Sequence, residues 1–204
     1  MKKAQFIAFE GIDKAGKMVQ VGLLQSYLES LDLSVSLFEF PNYQTETGLL
    51  IKSYLQGSVS LPIEAATTLY TTNKYEALPD LCASLQYTDF VLVDRYKASA
   101  VAYSSARGEV PTAWIDQLEA FLPNPDLTIY LDIDPSVSME RKGKSEINDK
   151  YESNMGFLGK VRSLYIDFVV DHPRTWLAID GEETIAKVHL KIREAVASRF
   201  LDDY

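Results

Sequence analysis

The chain has 204 residues, 47% of them hydrophobic, with 29 acidic against 20 basic side chains and a formal net charge of −9. This apolar content supports a substantial core and excludes a disordered chain, and the length suits one α/β domain spanning residues 1–204. The acidic balance argues against a nucleic-acid partner, and the single cysteine, Cys82, excludes an intramolecular disulfide or a cysteine-cluster metal site.

The apolar run Gln5-Phe6-Ile7-Ala8-Phe9 predicts a first strand over Ala4–Phe9. It opens onto Gly11-Ile12-Asp13-Lys14-Ala15-Gly16-Lys17, a G-x-x-x-x-G-K phosphate loop, and a helix is expected over Lys17–Leu31. Strand, glycine turn and helix start are the context this motif requires. Successive backbone N–H groups can wrap a phosphate while the helix N-terminus faces it, and Lys17 adds a charge. The next position, where a hydroxyl normally ligates Mg²⁺, is Met18.

A second strand over Val35–Phe40 leads to Phe40-Pro41, a candidate cis peptide bond. Thr45-Glu46-Thr47-Gly48 then reads as a turn with a helix cap opening on Gly48. Ile63–Leu85 has helix length, with Pro79 expected to kink or split it, and Tyr70, Asn73 and Lys74 share one face of it. A third strand, Phe90–Val93, ends in Asp94-Arg95. An acid at a second strand end beside a phosphate loop is placed to organise Mg²⁺, and an adjacent arginine can bind phosphate oxygens through two nitrogens.

Helices are expected over Lys97–Ala106, Pro111–Phe121, Tyr151–Asp171 and Glu183–Phe200, and strands over Leu127–Leu131 and Thr175–Ile179. Arg141–Asp149 reads as a polar loop whose Arg141, Lys142 and Lys144 could close over phosphates, a lid at about 141–150. Apolar strands alternating with helices predict an α/β fold, a five-stranded parallel sheet flanked by helices. Ligands of such sheets bind beyond the strands' carboxyl ends, where Glu10, Phe40-Pro41, Asp94-Arg95 and Asp132 collect. No apolar stretch reaches membrane-spanning length and no signal-peptide pattern follows Met1-Lys2-Lys3, so a soluble, cytoplasmic protein without a membrane partner is expected.

Together these segments resemble the thymidylate kinase family, P-loop nucleoside monophosphate kinases that phosphorylate dTMP. The likeness rests on residues 9–17, Phe40-Pro41, Thr45–Gly48 with Ser53-Tyr54-Leu55, and Asn73–Glu76. It continues through Asp94-Arg95-Tyr96 with Ser99, Val101-Ala102-Tyr103, Pro125-Asp126-Leu127 and Tyr151-Glu152. The resemblance implies ATP as phosphoryl donor, Mg²⁺, small nucleotide substrates and a homodimer. It implies that Gly11, Asp13, Lys14, Ala15, Gly16, Lys17, Met18 and Arg141 hold the donor. Lys14, Lys17, Asp94 and Arg95 would act in catalysis, with Asp94 organising the metal. Asp13, Phe40, Tyr70, Lys74, Arg95, Ser99, Tyr103 and Tyr151 would form the acceptor site, Tyr70 standing where the family stacks an aromatic ring on thymine.

The chain departs from the family pattern at several positions. Met18 and Val19 replace a Ser/Thr pair, Tyr43 and Lys74 stand where arginines are usual, and Ala100 takes a common glycine position. These departures leave two further readings open: a kinase for another deoxypyrimidine monophosphate, such as dUMP or a 5-modified dUMP, and a nucleotide-binding protein with impaired catalysis.

Overall fold

The computed structural model describes residues 3–108, 110–142 and 154–201. Its centre is a five-stranded sheet ordered β2-β3-β1-β4-β5, formed by β1 (Gln5–Glu10), β2 (Val35–Glu39), β3 (Phe90–Asp94), β4 (Leu127–Asp132) and β5 (Trp176–Asp180). Every pairing is parallel. Parallel neighbours require crossovers, and helices supply them on both faces. The three inner strands are accordingly buried almost throughout, whereas the edge strands β2 and β5 are half exposed.

Alternation along β1 divides the core. Ile7 and Phe9 point into a cluster with Leu24, Leu92, Ile129 and Tyr165, while Phe6 and Ala8 face Leu81, Val91 and Val93. The first face is covered by α1 (Lys17–Glu29), α8 (Met155–Asp171) and α9 (Ile185–Phe200), and α4 (Leu78–Tyr87) covers the second.

The expected split near Pro79 occurs. α3 (Ile63–Glu76) ends before Ala77 and α4 begins at Leu78, with Pro79 in its first turn, where a missing N–H costs no helical bond. α5 (Lys97–Ser105) agrees with expectation, and α6 (Thr112–Leu118) is shorter than expected. α8 starts at Met155, capped by Asn154, whose side chain accepts from Phe157 N. Two helices have spans that the sequence reading did not give: α2 (Glu46–Leu55), of which only the cap at Thr45 was expected, and α7 (Pro135–Lys142), which takes Arg141 and Lys142 out of the expected polar loop. Thr45 caps α2 by accepting from Gly48 N at 3.1 Å. A Cβ at Gly48 would lie 1.8 Å from Asn42 O, so the loop after β2 packs on this turn only because a glycine is there.

Candidate active site

The phosphate loop leaves the central strand β1 and enters α1. Gly11 has φ 146°, and a Cβ there would come within 2.6 Å of Leu131 O on β4, so only glycine lets the loop cross the neighbouring strand. Lys14 and Gly16 also have positive φ, 62° and 95°. These reversals turn the loop before α1 begins at Lys17, with Ala15 buried beneath it. α7 braces the loop from outside. Ser138 Oγ donates to Asp13 O at 2.8 Å, and Arg141 donates to Lys14 O at 3.2 Å and to Gly181 O at 3.0 Å. Arg141 thus ties the loop to the turn after β5.

Lys17 is only 6% exposed, and its Nζ donates back to Gly11 O at 3.2 Å and Ile12 O at 3.1 Å. Burial, reinforced by the nearby Arg95 charge, lowers its ammonium to about 8, against the pull of Asp94, Asp13 and Glu10. Met18 is 67% exposed and Val19 also faces solvent.

Arg95 sits at the β3–α5 junction with φ 62°, its N–H donating to Phe9 O at 2.9 Å. A positive φ at a non-glycine residue is held by its surroundings, here the guanidinium contacts. Nη1 donates to Gly11 O at 3.1 Å and to Ser99 Oγ at 3.4 Å, and Nη2 to Asp13 Oδ1 at 2.5 Å. Tyr103 OH donates to the other Asp13 oxygen at 3.0 Å and lays its ring under the guanidinium, 5.3 Å away. Burial raises the Asp13 carboxyl, but Arg95 and Lys17 outweigh it and hold the group below the usual carboxylate range. Asp94, the residue before Arg95, has a buried Oδ1 that accepts no hydrogen bond from the described residues. A hard oxygen left bare beside Lys17 fits a divalent cation, whereas the Met18 thioether does not.

Beside Asp13 and Arg95 opens a cleft of about 110 Å³, lined by Asp13, Phe40, Tyr70, Lys74, Arg95, Ser99 and Tyr103. Seven of the eight expected acceptor residues therefore share one wall system, and Tyr151 lies outside the described residues, as does the expected lid beyond Lys142. Tyr43 and Ala100, two of the departures, line the same cleft. The Phe40-Pro41 bond at its floor is cis.

Three neighbours could not be read from spacing. Lys74 is buried, with its Nζ 2.5 Å from Glu119 Oε1, a carboxylate 45 positions away that also accepts from Thr71 Oγ1 at 3.3 Å. Asn73, which shares a helical face with Tyr70 and Lys74, turns instead to the loop after β2, accepting from Asn42 N at 2.7 Å and donating to Thr45 Oγ1 at 2.9 Å. Asp132, expected on the functional rim, is taken up by Arg162 of α8 at 2.8 and 3.0 Å and by Tyr130 OH at 2.7 Å.

The geometry is a phosphate loop and a largely apolar cleft with a few charged groups, sharing Asp13 and Arg95. Comparison with known proteins agrees with it. The thymidylate kinase family model matches residues 9–192. A thymidylate kinase of Akkermansia muciniphila is 34% identical over 98% of this chain and 95% of its own length, and that of Plasmodium falciparum is 32% identical over 96% and 90%. The solved thymidylate kinase of Candida albicans superposes with a TM-score of 0.82 at 29% identity, covering 96% of this chain and 92% of that one.

Proposed function

The chain belongs to the thymidylate kinase family, and we propose that it transfers the γ-phosphoryl group of ATP to dTMP, giving ADP and dTDP. The observation that carries this reading is the Arg95 guanidinium, fastened to the phosphate loop through Gly11 O and to the cleft through Asp13. A cation in that position faces both the leaving and the accepting phosphate, where charge develops during transfer.

The donor phosphates lie on the backbone N–H groups of Lys14 to Met18, at the N-terminus of α1. Lys14 reaches the same phosphates, and Lys17 releases the Gly11 and Ile12 carbonyls to follow the transferred group. Arg141, bridging the loop and Gly181, borders the donor on its base side. The acceptor enters the cleft with its ring on Tyr70, its carbonyl edge toward Lys74, its sugar beside Asp13, Ser99 and Tyr103, and Phe40 beneath. Catalysis is by alignment and charge neutralisation. Asp94 would hold Mg²⁺, which would supply positive charge to offset that of the phosphates during transfer.

We place all 204 residues in one kinase domain with a lid at about 141–150, acting in the cytoplasm as a homodimer. Leu49 and Leu50, exposed on α2 beside α3, favour the dimer; sedimentation showing only monomer at micromolar concentration rejects it. No described helix is long and apolar enough to cross a membrane. The transfer is tested by incubating the protein with ATP, Mg²⁺ and dTMP and separating the products. Equal amounts of dTDP and ADP are expected; ADP without dTDP, or no product, rejects the reading.

A further inference from the structure

Glu10, the last residue of β1, is fully buried and has no cation within ion-pair distance among the described residues. Its carboxylate is instead filled by hydrogen bonds. Oε1 accepts from Tyr96 N at 2.9 Å and Ser99 N at 3.2 Å, and Oε2 accepts from Ser99 Oγ at 2.6 Å and Tyr165 OH at 2.9 Å. The two amides belong to the start of α5, whose own N-cap residue, Tyr96, offers no side-chain cap. A carboxylate from a strand 86 positions earlier does the capping.

An ionised carboxylate only accepts hydrogen bonds. Ser99 has one hydroxyl proton, and at 2.6 Å it is spent on Glu10. Toward Arg95 Nη1, 3.4 Å away, Ser99 Oγ can therefore offer only lone pairs, the polarity a guanidinium needs. We propose that Glu10 is a positioning residue for phosphoryl transfer, acting through the hydroxyl of Ser99 to hold Arg95 between the phosphate loop and the cleft.

This inference rests on the kinase reading. Glu10→Gln removes the charge with little change in shape. The amide oxygen stays with the two α5 N–H groups, so its NH₂ faces Ser99 and Tyr165. Ser99 then accepts from the amide, which takes up one of its lone pairs, and its freed proton points to Tyr165 OH, 3.0 Å away, or to Arg95, so fewer lone pairs face the guanidinium.

The test is a double-mutant cycle of Glu10→Gln and Ser99→Ala, followed by kcat, by KM for ATP and by dTMP affinity measured calorimetrically. Expected are a loss of about tenfold or more in kcat for Glu10→Gln, KM for ATP within about threefold, and less than about twofold further loss when Ser99 is already alanine. Wild-type kcat in Glu10→Gln, or losses that multiply, overturns the proposal, since a general packing defect does not depend on Ser99. If Glu10→Gln does not fold, Ser99→Ala keeps the carboxylate and removes the hydroxyl through which it acts on Arg95. A kcat about threefold lower or more is then expected, and an unchanged kcat overturns the proposal. A wild-type protein inactive on every nucleotide fails the kinase reading by itself. The cycle is then read in dTMP affinity, with coupling expected and independence contradicting it.

Discussion

Arg95 Nη2 lies 2.5 Å from Asp13 Oδ1, although 82 positions separate the two residues in the chain. Asp13 belongs to the phosphate loop and Arg95 to the end of the neighbouring strand β3, so this contact joins donor and acceptor sides. The other guanidinium nitrogen serves Gly11 O and Ser99 Oγ. Lysine has one ammonium and cannot span these partners. Arg95→Lys should therefore lower kcat by about 10²–10³ while leaving circular dichroism unchanged, a loss typical of removing one preorganised transition-state contact. A kcat within about threefold of wild type would show that the fork is dispensable.

Burial, with the Arg95 guanidinium nearby, lowers the Lys17 ammonium to about 8. Bound anionic phosphates favour the ammonium, so ADP binding at pH 8.5 should take up protons, and affinity should fall as pH rises above 8. Calorimetry in buffers of different ionisation enthalpy reads this uptake, and it should vanish in Lys17→Met. The sign for folding is opposite to that for binding. The unfolded chain keeps its proton up to the ordinary lysine value of 10.5, so this residue makes stability rise between pH 8 and 10.5. Proton release on ADP binding would contradict the account.

The Lys74–Glu119 pair is buried on both sides, with side chains 5% and 2% exposed. Removing one partner leaves the other charge stranded, which costs about 3–5 kcal/mol in such pairs. Glu119→Ala should lower the urea midpoint accordingly and raise KM for dTMP, because Lys74 lines the cleft. Thermal and urea midpoints that match wild type would show that the pair carries no net stability.

Met18 cannot supply a hard oxygen, which makes Asp94 the ligand we propose for Mg²⁺. Met18→Thr should lower the Mg²⁺ concentration needed for half-maximal rate, and Asp94→Ala should nearly abolish turnover. An unchanged Mg²⁺ titration in Met18→Thr means another group compensates for the lost hydroxyl.

Much of the fold was legible because the inner strands, buried on both faces, are nearly unbroken apolar runs. The phosphate loop was legible because its parts are consecutive. α2 and α7 were not. α2 exposes Leu49 and Leu50, which blurs its periodicity, and α7 spans only eight residues. Pro79 marked the break between α3 and α4 but sits inside α4, because the first helical turn tolerates it. In the site, Asp94, Arg95 and Tyr103 could be placed at a strand end and on the helix after it. Glu119 could not, since nothing local connects it to Lys74, and Glu10 could be read only as a strand end. Which groups meet across 45 or 86 positions is decided by how α6 packs against α3 and where α5 starts after β3, not by spacing.

The central claim is tested most directly by steady-state ADP release with saturating ATP and Mg²⁺ across dTMP, dUMP, dCMP and dGMP, with Lys17→Ala as control. The account predicts the highest kcat/KM for dTMP, and a folded Lys17→Ala variant slower by orders of magnitude. Preference for the purine dGMP, full activity in Lys17→Ala, or no turnover of any nucleotide by the wild type would contradict it.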